Sequence, residues 1–275
     1  MFLDAELHLA YKIANTPTLN FPFPHIYIEN IFPDDFYSKI QENLLESKEM
    51  TSLAENDTNI HGLAGYKDRF IIDLANEEAM SNVGKDKQDF LRVFGEIFNK
   101  GTFSKLLLSK FKKFIDMRFQ YLENVTFRDD VKLVNDKVSY ALGPHTDHPG
   151  KVISMLFYLP KDFTQKETGT SLYIPKDPSS LDKELPHKHY PHEQFHKVTT
   201  MPFAPNSAFC FIKTNNSFHG VEKLHMENTD RWSLQYNLYI NDETLEKEKI
   251  AKKKYQKENN SKTPTPKASP SKFSI

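Results

Sequence analysis

The chain has 275 residues, with 36 Lys and Arg against 37 Asp and Glu, a net charge of -1, and 13% aromatic residues including 22 Phe. That balance removes any general pull toward nucleic acid, and the aromatic content belongs to a packed core. Nine glycines in no phosphate-cradling pattern, and one cysteine, exclude a glycine-rich nucleotide loop, a disulfide framework and a cysteine-rich zinc site.

The first six residues carry early acids and no apolar stretch, so no signal peptide is expected. No apolar run approaches the ~20 residues of a membrane span, which leaves a reduced, cytoplasmic protein as the expectation. Residues 20–33 alternate proline with β-formers and predict an extended opening strand. Pro33-Asp34-Asp35 then starts a helix with Phe36, Ile40 and Leu44 on one face. Residues 47–65 are polar and irregular, and 69–74 predict a strand. Helical spacing follows over 89–99, with Phe90, Val93, Phe94 and Ile97, and over 104–114, with Leu107, Leu108, Phe111 and Phe114.

Beyond that the period changes to two. Strands are predicted at 117–122, 131–134, 137–142, 151–159, 170–174, 195–201, 207–212, 218–222 and 231–240. Cys210 falls inside one of them and reads as a buried thiol. Helices followed by many short strands predict an α+β chain, mainly β: a barrel or jelly roll buttressed by N-terminal helices. The expected organisation is a single domain over 1–242, with helical support at about 34–115 and a β core at about 117–241. Residues 243–275, rich in lysine and proline, predict a basic disordered tail.

Chemistry concentrates in His145-Thr146-Asp147, His219 and Arg231-Trp232-Ser233. Residues two apart in an extended segment point the same way, so His145 and Asp147 can reach one ion. Two imidazoles and a carboxylate fill one face of an octahedron and leave three positions open. Among 11 histidines one such triplet carries little weight alone. His219 is the best-placed third ligand; His225-Met226-Glu227 is a rival in a polar stretch. On the last strand Arg231, Ser233, Gln235 and Asn237 share one face, and Trp232, Leu234, Tyr236, Leu238 and Ile240 share the other. In a surface sheet the polar face meets water; in a barrel padded by helices it lines a cavity whose polar groups need partners.

These residues resemble the Fe(II)/2-oxoglutarate-dependent oxygenases. The segments 142–151, 169–173 and 215–221 are similar to bacterial members of the prolyl-hydroxylase-like group. The likeness covers 130–240 well, the N-terminal helices loosely and the tail not at all. It implies a double-stranded β-helix in which His145, Asp147 and His219 hold Fe(II). Arg231 would pair with the far carboxylate of 2-oxoglutarate, Ser233 would add a hydroxyl, and Tyr140 would touch the cosubstrate or pack in the core. Reaction with O₂ would release succinate and CO₂ and hydroxylate a C–H bond of a small molecule or modified side chain. Prolyl 4-hydroxylases usually carry Lys where Arg231 stands, which weakens an inference to prolyl substrates. Related halogenases carry a small residue at the Asp147 position, so the carboxylate favours hydroxylation.

Two alternatives stand beside this: a non-catalytic β-helix binding module, and a cupin-like metal enzyme that uses no 2-oxoglutarate. The histidines at 187, 189, 192 and 196 predict a substrate-facing lid or a plain surface loop ahead of a second metal site. His148 is a candidate for the pocket entrance, and Arg69 for a structural ion pair or a partner of substrate charge. Neither oligomeric state nor substrate identity is legible in the sequence.

Overall fold

The computed structural model describes residues 1–56, 68–180, 183, 185, 186, 188–225 and 230–260. The first half runs α1 (Phe2–Asn15), β1 (His25–Glu29), α2 (Asp34–Glu42), β2 (Thr51–Ser52), α3 (Leu53–Asn56), β3 (Arg69–Asp73), α4 (Glu77–Ser81), α5 (Lys85–Asn99), α6 (Thr102–Lys110) and α7 (Lys112–Phe119). Then come β4 (Phe127–Asp136), β5 (Leu142–His145), β6 (Lys151–Tyr158), β7 (Thr170–Pro175), β8 (Phe195–Met201), β9 (Ser207–Ile212), β10 (His219–Val221), β11 (Arg231–Ile240) and α8 (Asp242–Asn260). The strands form a seven-stranded sheet, β1-β9-β6-β11-β4-β3-β2, and a four-stranded sheet, β5-β10-β7-β8. The architecture is α+β, with antiparallel pairing throughout.

The large sheet has two chemically different faces. Leu234, Tyr236 and Leu238 of β11 pack with Leu133 of β4, Met155 and Phe157 of β6, and Cys210 of β9. Phe36, Phe94, Phe98, Phe103 and Leu107 of the helices close over them. The Phe103 ring meets Tyr236 edge-on at 4.7 Å and Phe98 meets Phe157 at 5.2 Å. Such pairs contribute about 0.5–1.5 kcal/mol each beyond the area they bury. On the other face a smaller cluster joins Tyr158, Phe209 and Phe211 to Leu172 and Met201 of the small sheet. The helices thus cover the apolar side, and the polar side of β11 looks between the sheets.

Three departures from the periodicity have physical causes. α1 buries Ala5, Leu9 and Ile13, but Leu3, Leu7 and Tyr11 stay exposed, so apolar residues on both faces blur the helical period. Residues 117–122 alternate polar and apolar like a strand, yet 117–119 belong to α7, which follows α6 after a break at Phe111. Third, the expected disordered tail from 243 begins as a helix. In α8 Thr244 and Glu248 are buried, and Leu245 packs against the main core. A single-face anchor in a lysine-rich helix is too sparse to register as hydrophobic periodicity. Residues 57–65 of the polar stretch and 261–275 of the tail lie outside the described residues.

Both α7 and α8 bear on the site. Arg118 donates to Glu248 at 3.1 Å from both Nε and Nη2, to the Lys151 carbonyl at 2.7 Å and to the Pro149 carbonyl at 2.6 Å. It ties the loop before β6 to the C-terminal helix. Glu248→Ala leaves the half-buried Arg118 guanidinium without its carboxylate, a loss of up to about 3–5 kcal/mol for broken buried pairs. Chemical denaturation should show a destabilisation of that order; a change under about 0.5 kcal/mol, the range of surface substitutions, would remove α8 from the folded domain.

Candidate metal centre

β5 ends at His145, and its register with β10 sets His219 directly opposite. The two rings lie 4.4 Å apart between centroids. The strands come this close because position 220 is glycine: a Cβ there would overlap the Leu142 carbonyl oxygen and crowd Gly143. Past His145 the chain turns, and the Lys151 amide donates to the His148 carbonyl at 2.9 Å, which brings Asp147 back toward both histidines. One ligand atom from each of His145, Asp147 and His219 lies within 4.8 Å of the others, and all three residues are buried. No other such group converges among the described residues.

Neighbouring groups prepare all three side chains. His145 Nδ1 sits 3.0 Å from the Gly143 carbonyl and His219 Nδ1 sits 2.9 Å from the Ser217 carbonyl. A carbonyl only accepts, so Nδ1 carries the proton in each ring and Nε2 keeps a lone pair for a metal. Burial lowers both imidazoles below their ordinary value, and in His145 the neighbouring His219 adds to the effect. Burial would raise the Asp147 carboxyl, but Lys151, His219 and His145 together hold it far below the usual carboxylate range. Lys151 Nζ donates to Asp147 Oδ1 at 2.9 Å, and Ser154 Oγ donates to Oδ2 at 2.8 Å. Two neutral nitrogens and one oriented carboxylate fit a divalent transition-metal ion.

A second charged group lies in the same cavity. Asp136, 0% exposed, ends β4 and stands in register with Arg231 on one side and Arg69 on the other. Arg69 donates from Nε to Oδ1 at 2.7 Å and from Nη2 to Oδ2 at 3.2 Å. Arg231 donates from Nη1 to Oδ2 at 2.7 Å and from Nε to the Thr168 carbonyl at 2.7 Å. Its Nη2 has no hydrogen bond among the described residues. Two guanidiniums share this one buried carboxylate, and the Arg231 guanidinium is itself buried. A cavity of about 270 Å³ is lined by the triad, Arg69 and Arg231, with Lys151, Gln235, Asn237 and Tyr239.

The remaining expected residues divide. Ser233 shares the Arg231 face, but its Oγ is buried without a hydrogen-bond partner among the described residues and it does not line the cavity. Tyr140 also lies off the cavity, beneath the Arg69 guanidinium at 4.5 Å and packed with Val221 and Leu224. Of the histidine-rich loop, His189 lines the cavity 4.9 Å from the His145 ring, while His192 and His196 stay exposed. His187 lies outside the described residues, as does Glu227 of the rival triplet. Sequence reasoning missed Asp136, Lys151 and Ser154. Ser154 was the readable one: it is the single serine or threonine inside the apolar strand 151–159.

No family model and no curated protein matches the chain. Similar solved structures include a 2OG-Fe(II) oxygenase-family oxidoreductase from Burkholderia pseudomallei, at 10% identity over 85% of this chain and 89% of that one, with a TM-score of 0.42. Another is the epimerase SnoN from nogalamycin biosynthesis in complex with Fe3+, alpha ketoglutarate and nogalamycin RO, at 10% over 85% and 83%, TM-score 0.45. A third is a Pseudomonas putida prolyl-4-hydroxylase, at 9% over 86% and 97%, TM-score 0.41.

Anaerobic titration with Fe(II) or Co(II) should show one ion per chain, with binding lost in His219→Ala. Ser154→Ala, with all three ligands intact, should weaken it about tenfold, as for loss of a group that orients a ligand. Unchanged affinity in His219→Ala would remove that residue from the centre.

Proposed function

We propose that this chain is an Fe(II)- and 2-oxoglutarate-dependent dioxygenase on a double-stranded β-helix, hydroxylating a C–H bond of a small molecule or modified side chain. The observation that carries the reading is the shared cavity: a buried two-histidine, one-carboxylate triad and the buried Arg231 guanidinium, with Arg69 beside it, line the same space. 2-Oxoglutarate has a metal-chelating 2-oxo acid at one end and a second carboxylate at the other. Its two ends match the two groups.

His145, Asp147 and His219 would hold the iron. The ion, when bound, supplies chelation of the 2-oxo acid and activation of O₂, so that R–H, O₂ and 2-oxoglutarate become R–OH, succinate and CO₂. The chain's own residues do the rest. Arg231 offers its remaining N–H to the far carboxylate in a charge-assisted bond. Asp136 and the Thr168 carbonyl keep that guanidinium from rotating, and Arg69 adds positive potential from the other side. The Ser233 hydroxyl lies on the same strand face as a further donor. Helix-packed walls and the aromatic cluster between the sheets keep bulk water away from the arginines, which strengthens their grip on an anion.

Succinate formation from 2-oxoglutarate, dependent on Fe(II) and O₂, is the direct assay. Arg231→Gln should raise the 2-oxoglutarate requirement at least about tenfold, as expected for a lost hydrogen bond to a charged group. Fe(II) affinity should change little. Oxidation that proceeds equally without 2-oxoglutarate would favour the cupin-like alternative, and metal binding with no turnover across a broad panel of substrates would favour a binding module.

A further inference from the structure

A second cavity opens beside α8, bounded by α7, the end of β9 and two loops. At about 610 Å³ it is larger than the one at the triad, about 270 Å³, and the two share no lining residue. Phe114 and Met117 of α7, Ile212 at the end of β9 and Leu245 of α8 give it an apolar floor. Met117 is 60% exposed, so part of that floor is uncovered. A concave site of about 300–1,000 Å³ with apolar walls and a few polar groups is the usual form of a small-molecule site.

The rim of this cavity is basic. Lys249, Lys252 and Lys253 of α8 line it, with Lys213 just beyond β9 and the Arg118–Glu248 pair. These lysines do not simply form the solvent face of the helix. Positions three and four apart share a helix face, and the face that anchors α8 through Leu245 and buried Glu248 continues into Lys249 and Lys252. A helix held only by packing would continue that face with apolar residues. Most of these cations have contacts already: Arg118 and Lys252 share Glu248 at 3.1 and 2.7 Å, Lys249 reaches Glu246 at 3.3 Å, and Lys213 donates to the Thr214 carbonyl at 3.2 Å. Among the described residues the lining still holds five cations, Arg118, Lys213, Lys249, Lys252 and Lys253, against the single carboxylate of Glu248. Glu246 adds one more from outside the lining. The mouth is therefore positive without any lysine having to be unpaired, since exposed ion pairs contribute little and exchange partners readily.

We infer that this cavity is a second ligand site and that it takes an amphiphilic anion, a carboxylate or similar monoanion that carries an alkyl chain. The lysine rim receives the charged head, and Phe114, Met117, Ile212 and Leu245 cover the chain. A cation with the same chain fits the floor but is repelled at the rim; a short acid meets the rim without reaching across the floor. The walls also include Pro149, two residues after Asp147, and residues 214–216, which lead to His219. A ligand here rests against the loops that carry two of the metal-centre residues without entering their cavity.

Calorimetric titration of the full-length protein compares octanoate with butyrate and with octylammonium, all below micelle-forming concentrations. Octanoate should saturate one site per chain and bind at least about tenfold more tightly than either. Butyrate lacks four methylenes of apolar contact, and octylammonium carries the wrong charge. Octanoate affinity should fall about tenfold in Lys249→Gln/Lys253→Gln, as for lost charge-assisted contacts. That variant removes two exposed lysines and leaves the contacts of Glu248 with Arg118 and Lys252 in place. Affinity should stay unchanged in Lys39→Gln/Lys100→Gln, which removes the same charge from exposed positions outside the cavity. Absence of saturable octanoate binding overturns the inference, as does equal binding of octanoate and either comparison compound. Octanoate affinity that is unaltered in Lys249→Gln/Lys253→Gln, or abolished in Arg231→Gln, overturns it too, the latter by placing the ligand in the metal cavity.

Discussion

The close approach of β5 and β10 organises the site. It faces His219 with His145 across a two-strand pair, and it holds only while position 220 lacks a Cβ. The placement of the two histidines follows from that contact. The two imidazoles, fixed through Nδ1 by carbonyls two residues earlier in each chain segment, aim Nε2 at a common point. The turn after β5 then needs only two residues to bring Asp147 to the same place. Backbone geometry sets the triad; the three side chains themselves have little freedom.

The large sheet supplies the opposite wall, for a reason rooted in composition. Its outer face is sealed by phenylalanines from the helices, so the alternate residues of β11 must turn their polar groups inward. Polar groups so enclosed need partners, and Asp136 provides them by binding Arg69 and Arg231 at once. The carboxylate is fully buried between the two guanidiniums. Each guanidinium is held at two points. Tyr140, for which the sequence left cosubstrate contact and core packing both open, lies under Arg69 and packs with Val221 and Leu224.

Much of this was legible in the residues. The two-residue spacing of His145 and Asp147, and the alternation along 231–240, have one-dimensional signatures that survive folding. The helix-padded face of β11 was visible for the same reason. Asp136 had no such signature, because its role comes from register: two strands, one starting at Arg69 and one at Arg231, must both align with it. Lys151 is equally silent, an ordinary charge opening an apolar strand until the turn carries it to Asp147. In α8 a few buried contacts, chiefly Glu248 with Arg118, outweigh a lysine-rich composition that by itself describes a solvated tail.

The central claim is that triad and arginine pair act on one ligand, which makes metal and 2-oxoglutarate binding mutually dependent. Calorimetric titration of 2-oxoglutarate into the protein, with and without bound Mn(II) and under anaerobic conditions, measures this directly. The account predicts that the metal tightens 2-oxoglutarate at least about tenfold, an energy of roughly 1.4 kcal/mol or more. It also predicts that glutarate, which keeps both carboxylates but lacks the 2-oxo group, gains much less. Equal 2-oxoglutarate affinity with and without the metal would contradict it.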